Sequence, residues 1–294
     1  MSPLSSLLYR LSNFYGNNLY SQDSNWFTEA QKSGLIRNPH LVLANDTDFL
    51  KLKKIEKAID LAENYARTNH LSRQEVKILD VGCGDGVYTF VLGNMGFNVL
   101  GIDVSKDQIM CAKERAARLG IKNVHLEHAN VLTHLKYCNE RYNIILVADV
   151  MEHMESPREF LSLSFRRLTN PGLIIAIVPN GYGLIELLYT PLAQMINERL
   201  ADADYKRILT GHGWFHAQRY SLKKIENLLV DSGFKFRFAN SVYSDLLAFL
   251  FLRGFRNKIT LINLQMAERL PRRMVGSWVV CGVKNDSYHN LVFI

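Results

Sequence analysis

Between Val76 and Val178, short apolar and β-branched runs alternate with stretches whose apolar positions recur every three to four residues. The runs Val76–Val81, Asn98–Ile102, Asn123–Glu127, Tyr142–Ala148 and Leu173–Val178 read as strands, each apolar on both faces. Val87–Met95, Lys106–Leu119 and Pro157–Leu168 read as the helices between them, the last opening with Ser156 as N-cap and Pro157 at the first helical position. Strands of this kind joined by helices imply a parallel sheet covered on both sides. Further on, a helix over Leu222–Ser232, capped by Ser221 and stopped by Gly233, precedes strands over Phe234–Val242 and Ser277–Val283, for a total of about seven strands. Upstream, Leu52, Ile55, Ile59, Ala62 and Ala66 form one stripe on a helix over Asp48–Thr68, expected to dock at the edge of the sheet.

The core defined by this pattern occupies residues 48–180, 218–242 and 277–294. Residues 1–47 and two connections, 181–217 and 243–276, interrupt the alternation and are too long for plain loops, so they are assigned to a helical cap over the substrate. With 294 residues, 48% of them hydrophobic and 21% charged, the chain can bury a sizeable core, which excludes disorder as its default state. The segment Met1–Tyr15 lacks the charged and apolar regions of a secretion signal. Leu246–Leu252, the longest apolar run, is far shorter than the roughly 20 residues that cross a bilayer. A cytoplasmic protein is expected. Cys83, Cys111, Cys138 and Cys281 have no C-x-x-C spacing, so neither a zinc knuckle nor a redox pair is indicated.

The formal charge is +7, and over half of that excess lies in 243–276, where Leu246–Leu252 is followed by Arg253, Arg256, Lys258, Arg269, Arg272 and Arg273. An apolar helix beside a basic cluster suits peripheral contact with an anionic membrane surface or a lipid-like substrate; it suits equally a buried cap helix with a solvated basic end.

The first strand runs into Leu79-Asp80-Val81-Gly82-Cys83-Gly84-Asp85-Gly86, a glycine-rich turn at the carboxyl edge of a parallel strand, where open α/β sheets bind ligands. Gly82 and Gly84 permit close backbone approach, and Gly86 relieves crowding at the next helix. The spacing is G-x-G-x-G, which argues against a nicotinamide cofactor, and the chain has no Walker loop. Asp103 closes the second strand. Its carboxylate can accept two hydrogen bonds from a ribose diol, since Ser105 is available to cap the following helix.

These motifs, in order over residues 76–180, resemble the class I S-adenosylmethionine-dependent methyltransferases, which implies a Rossmann-like α/β fold. Ala148-Asp149-Val150-Met151-Glu152-His153-Met154 with Pro157, Val178–Gly183 and the region His212–Ser221 resemble the small-molecule subset that includes the ubiquinone-pathway O-methyltransferases. The resemblance implies S-adenosylmethionine held by Asp80, Gly82, Cys83, Gly84, Gly86, Asp103, Val104, Asn130, Val131 and Asp149. Asn130 stands where the family commonly has an acid facing the adenine amino group. His153 and Glu152 are the implied catalytic residues. Asp149, Glu152 and His153 also reproduce a group implicated in divalent metal binding, and the ligand types suit Mg²⁺ or Zn²⁺ without requiring either. His212 and His216, four apart, could share a face if helical, and read equally well as structural histidines of the cap. The segment Asp149–Glu152 departs from the Asn/Asp-Pro-Pro-aromatic motif of base-methylating relatives, which argues against nucleic acid. The implied reaction is O-methylation of a small apolar or lipid-linked acceptor. N- or C-methylation of a small metabolite, and a non-catalytic cofactor-binding scaffold, are the alternatives.

Overall fold

The computed structural model describes residues 49–121, 124–183, 218–242, 267 and 269–285. Most of the three segments assigned to a cap, together with 286–294, lies outside the described residues. The elements in chain order are α1 (Phe49–Thr68), β1 (Lys77–Val81), α2 (Val87–Asn94), β2 (Asn98–Asp103), α3 (Lys106–Leu119), β3 (Val124–His128), α4 (Val131–Tyr137), β4 (Tyr142–Ala148), α5 (Pro157–Arg167), β5 (Leu168–Pro179), α6 (Leu222–Asp231), β6 (Lys235–Ser241) and β7 (Ser277–Lys284). Among the described residues, seven strands form one sheet in the order β3-β2-β1-β4-β5-β7-β6. The first five run parallel, and β7 is antiparallel to both β5 and β6. The expected mostly parallel sheet with helices on both faces is therefore present.

Alternate residues of the central strands feed two separate cores. Ile78, Ile144, Ile175 and Val279 pack with α1 and α2, while Leu79, Ile145, Ile174 and Val280 pack with α5 and α6 on the opposite face. Three expectations need correction. The upstream helix α1 does not dock at an edge: Ile55, Ile59, Ala62 and Ala66 share a core with β4, β5 and β7, strands inside the sheet. An interior strand apolar on both faces offers more apolar area than an edge strand, so the helix's stripe covers it. The second correction concerns β3, which is largely exposed rather than apolar on both faces, as its place at the sheet edge allows. Third, α5 ends at Arg167 and β5 begins well before Leu173, because Leu168 already pairs with Tyr142 across a register shift.

The short helix α4 falls where no helix is expected from the pattern. Asn130 caps it, its Oδ1 accepting from the N–H groups of Leu132 at 2.9 Å and Thr133 at 3.3 Å. Ser221 caps α6 as expected, and Gly233, at φ +96°, terminates it. Among the described residues no helix is long and apolar enough to cross a membrane.

Candidate active site

Parallel strands β1, β2 and β4 end at one edge of the sheet, and the residues singled out in the sequence gather there. Gly82, Gly84 and Gly86 all adopt left-handed backbone conformations, with φ of +65°, +55° and +87°. Their surroundings differ. A Cβ on Gly82 would lie 2.5 Å from Val150 Cγ2, and one on Gly86 would lie 2.4 Å from the Phe90 ring. A Cβ on Gly84 would meet only Gln108 Oε1, at 4.0 Å, among the described residues. The outer glycines thus serve the protein's own packing, Gly86 relieving the start of α2 as expected, while the middle one borders open space.

Asp103 ties this turn to the next helix. Its Oδ2 accepts from the Gly84 N–H at 2.9 Å and its Oδ1 from the Ser105 N–H at 2.8 Å, and each oxygen retains a lone pair for a further donor. Ser105 caps α3 through Gln108 N, which leaves Asp103 free of the capping role. Asp80 sits beneath the turn, 1% exposed, and accepts from the Thr89 hydroxyl at 2.6 Å. Sequence reasoning missed Gly101: a Cβ there would meet Thr89 Oγ1 at 2.6 Å and Cys83 Sγ at 3.0 Å, so the missing side chain makes room for Cys83 and for the Thr89–Asp80 bond. Burial, with Asp80 and Asp103 nearby, pushes the Cys83 thiol well above its ordinary pKa and keeps it neutral.

Beside Asp103, Val104 is 71% exposed, an apolar side chain left at the surface where β2 ends. Asn130 is exposed and Val131 half-buried, at the start of α4. The Asn130 amide oxygen, which the family resemblance directs to an adenine amino group, is engaged by the two N–H groups of its helix.

At the end of β4, Asp149 has φ +54°, a conformation that costs a residue with a side chain about 1 to 3 kcal/mol. Its N–H donates to Ile177 O at 2.9 Å. Lys54 Nζ donates to both of its carboxylate oxygens, at 2.6 and 2.8 Å. The Lys54 side chain is 12% exposed and that of Asp149 36%. Nothing in the local sequence marks Lys54, one of three lysines within Lys51–Lys54 on α1. The next residues, Met151–His153, form a single 3₁₀ turn in which Met151 and Glu152 are buried and His153 is exposed. Residues preceding α6 hold it: Gln218 N–H donates to Glu152 O at 2.9 Å and Tyr220 Oη to Met151 O at 3.1 Å.

The three residues Asp149, Glu152 and His153 do not converge as metal ligands. Asp149 is held by Lys54, Glu152 is 2% exposed and His153 faces outward, and no group of three or more His, Cys, Asp or Glu side chains suited to a metal occurs among the described residues. His212 and His216 lie outside the described residues.

An α/β sheet of this order, with a glycine turn after β1 and an acid closing β2, defines a nucleotide-type ligand edge. Residues 72–227 match the methyltransferase domain family, and the chain belongs to it. Among curated proteins it is 32% identical over 120 residues to a ubiquinone biosynthesis O-methyltransferase of Rickettsia canadensis, covering 41% of this chain and 45% of that protein. A mitochondrial ubiquinone biosynthesis O-methyltransferase of Saccharomyces cerevisiae is 31% identical over 140 residues, 46% of this chain and 44% of that protein. The matches thus span less than half the length of these relatives. Among solved structures, a SAM-dependent methyltransferase from Archaeoglobus fulgidus aligns with TM-score 0.52 at 17% identity, covering 88% of this chain and 99% of that one. A plantazolicin methyltransferase, BamL, solved with a triazolic desmethylPZN analog and SAH, aligns with TM-score 0.52 at 15% identity over 96% and 97% of the two chains. These likenesses confirm the fold.

Proposed function

We propose that the protein is an S-adenosylmethionine-dependent methyltransferase that methylates an oxygen of a small apolar or lipid-linked acceptor. The observation that carries this reading is the Asp103 carboxylate, bonded to the Gly84 N–H and flanked by exposed Val104, at the open edge of the sheet. A ribose diol matches the free lone pairs of Asp103, and an adenine ring matches the Val104 surface. Asp149, part-exposed at the same sheet edge and held there by Lys54, offers a carboxylate to the ammonium of an amino-acid tail. The curated relatives named as O-methyltransferases favour oxygen as the acceptor atom.

The cofactor supplies an electrophilic methyl on a sulfonium. The chain's own task is to align the acceptor with that methyl and to take its proton. His153, exposed after β4, is suited to both, since an imidazole nitrogen can accept a hydrogen bond and then a proton from a hydroxyl. When its nitrogen accepts the hydroxyl proton, the oxygen lone pair forms the new bond to carbon as the carbon–sulfur bond breaks. Glu152, buried within the same turn, takes a positioning part. No step is assigned to a metal.

His153→Ala should lower turnover by about 10² to 10⁴ while S-adenosylhomocysteine affinity stays within twofold or so. The assay is transfer of radiolabelled methyl from S-adenosylmethionine into fractionated extract. Label in a lipid or small-molecule fraction, lost in the variant, supports the reading; label confined to nucleic acid or protein overturns the acceptor class.

A further inference from the structure

A second feature lies on the same edge of the sheet, past the end of β5, and neither the glycine turn nor the β4 end accounts for it. A cavity of about 890 Å³ opens between that strand end, the first turn of α6 and the 3₁₀ turn Arg272–Met274, a volume in the range of small-ligand sites. Its lining includes three cations, Lys223, Arg272 and Arg273, with no acidic side chain among the described lining residues. Tyr182 and Trp278 supply aromatic wall.

The arginines are held on a braced turn. The buried Trp278 indole N–H donates to Arg272 O at 2.8 Å. The Asn180 amide, itself buried, donates to Arg273 O at 3.2 Å and to Val275 O at 2.8 Å. The Arg272 guanidinium stacks 3.9 Å over the Phe238 ring, which fixes its plane and leaves its edge N–H groups available. Arg273 makes no side-chain hydrogen bond or ion pair among the described residues, and Lys223 pairs only with Glu226 at 3.2 Å on the exposed face of α6. Two adjacent guanidinium forks and an ammonium around a cavity form a receptor for a multiply charged oxyanion, because planar forks match phosphate oxygens in pairs.

We infer that this cavity binds a phosphate-bearing ligand, and that the phosphate belongs to the methyl acceptor. The second clause rests on the methyl-transfer reading, and the geometry favours it: Ser221 of the cavity adjoins Tyr220, whose hydroxyl holds the turn carrying His153. The acceptor then has an anionic end at Arg272 and Arg273 and a hydroxyl at His153.

The test uses the full chain and inorganic pyrophosphate as probe, titrated by calorimetry at constant ionic strength, with Lys223→Gln/Arg273→Gln as the first variant. Arg272→Gln is the second, read only if its thermal unfolding matches wild type. Saturable pyrophosphate binding that weakens about tenfold in the first variant supports the site. Retention on phosphatidylglycerol but not phosphatidylcholine vesicles, lost in the same variant, supports the anion site but gives it to a lipid headgroup and overturns its assignment to the acceptor. Absence of both, or equal binding by wild type and variant, overturns the site itself. S-adenosylhomocysteine titrated into the same samples keeps the two readings apart: its failure to bind removes methyl transfer and leaves the pyrophosphate result standing, whereas normal binding with no pyrophosphate signal removes only this inference.

Discussion

Strands β1 and β4 lie side by side and both end in a left-handed residue, yet they reach that conformation by different means. After β1 the residue is Gly82, at φ +65°, which carries no steric penalty there. After β4 it is Asp149, at φ +54°, which does, and which Lys54 holds from 95 residues away. Buried Asp80, one residue before Val81, is bonded to Thr89, while the acid after β4 stays part-exposed and is paired with Lys54. The β1 end is determined by local backbone sterics, and the β4 end by a tertiary contact that offsets strain. Strain held in this way tends to mark the place where function is carried.

The comparison can be broken most severely at Gly82. Gly82→Ala adds the left-handed penalty to a clash with Val150 and should cost about 2 to 5 kcal/mol in urea unfolding. Gly84→Ala, with open space around it, should cost only the conformational part, about 1 to 2 kcal/mol, while abolishing measurable S-adenosylhomocysteine binding. Equal stability losses would mean that Val150 moves aside freely. Next in size, Asp103→Ala should weaken cofactor binding by about 1.5 to 3 kcal/mol by calorimetry, the worth of a hydrogen bond to a charged group. An unchanged dissociation constant in a folded variant would remove the ribose role.

At the β4 end the strain itself can be measured. Asp149→Gly and Asp149→Ala both lose the Lys54 pair, but only alanine keeps the left-handed penalty, so the glycine variant should be the more stable by about 1 to 2 kcal/mol. Matching melting curves would show that the backbone relaxes once the ion pair is gone. The smallest effect is expected from the thiols. Because burial and neighbouring carboxylates raise the Cys83 pKa, the protonated form persists at pH 8, and maleimide should modify exposed Cys111 while sparing Cys83 and Cys281 in the native protein. Mass spectrometry of the labelled protein reads this directly.

Most of the β1 side is legible in the order of residues alone, because glycine spacing and strand periodicity are local properties. Gly84 and Asp103 fall where the pattern puts them, and Ser105 takes the cap that frees Asp103. Asn130 is legible only in part: the resemblance directs its side chain to a ligand, whereas the short helix it caps leaves no trace, since Val131–Tyr137 is too brief to establish a helical period. The motif Asp149-x-x-Glu152-His153 suggests three cooperating ligands, but a 3₁₀ turn spreads its members between an ion pair, the interior and the surface.

The amino-acid sequence by itself determined the succession of most strands and helices, the glycine turn and the acid that meets it, because each depends on residues close together in the chain. Only the tertiary structure decided that α1 lies over the interior of the sheet, that Lys54 reaches Asp149 and that Gly101 admits Thr89 and Cys83. It also set Arg272 on Phe238 beside the cavity. Those pairings join positions far apart in sequence, and no periodicity encodes them: they follow from which faces the folded sheet leaves to be covered and from the distances that close packing then imposes.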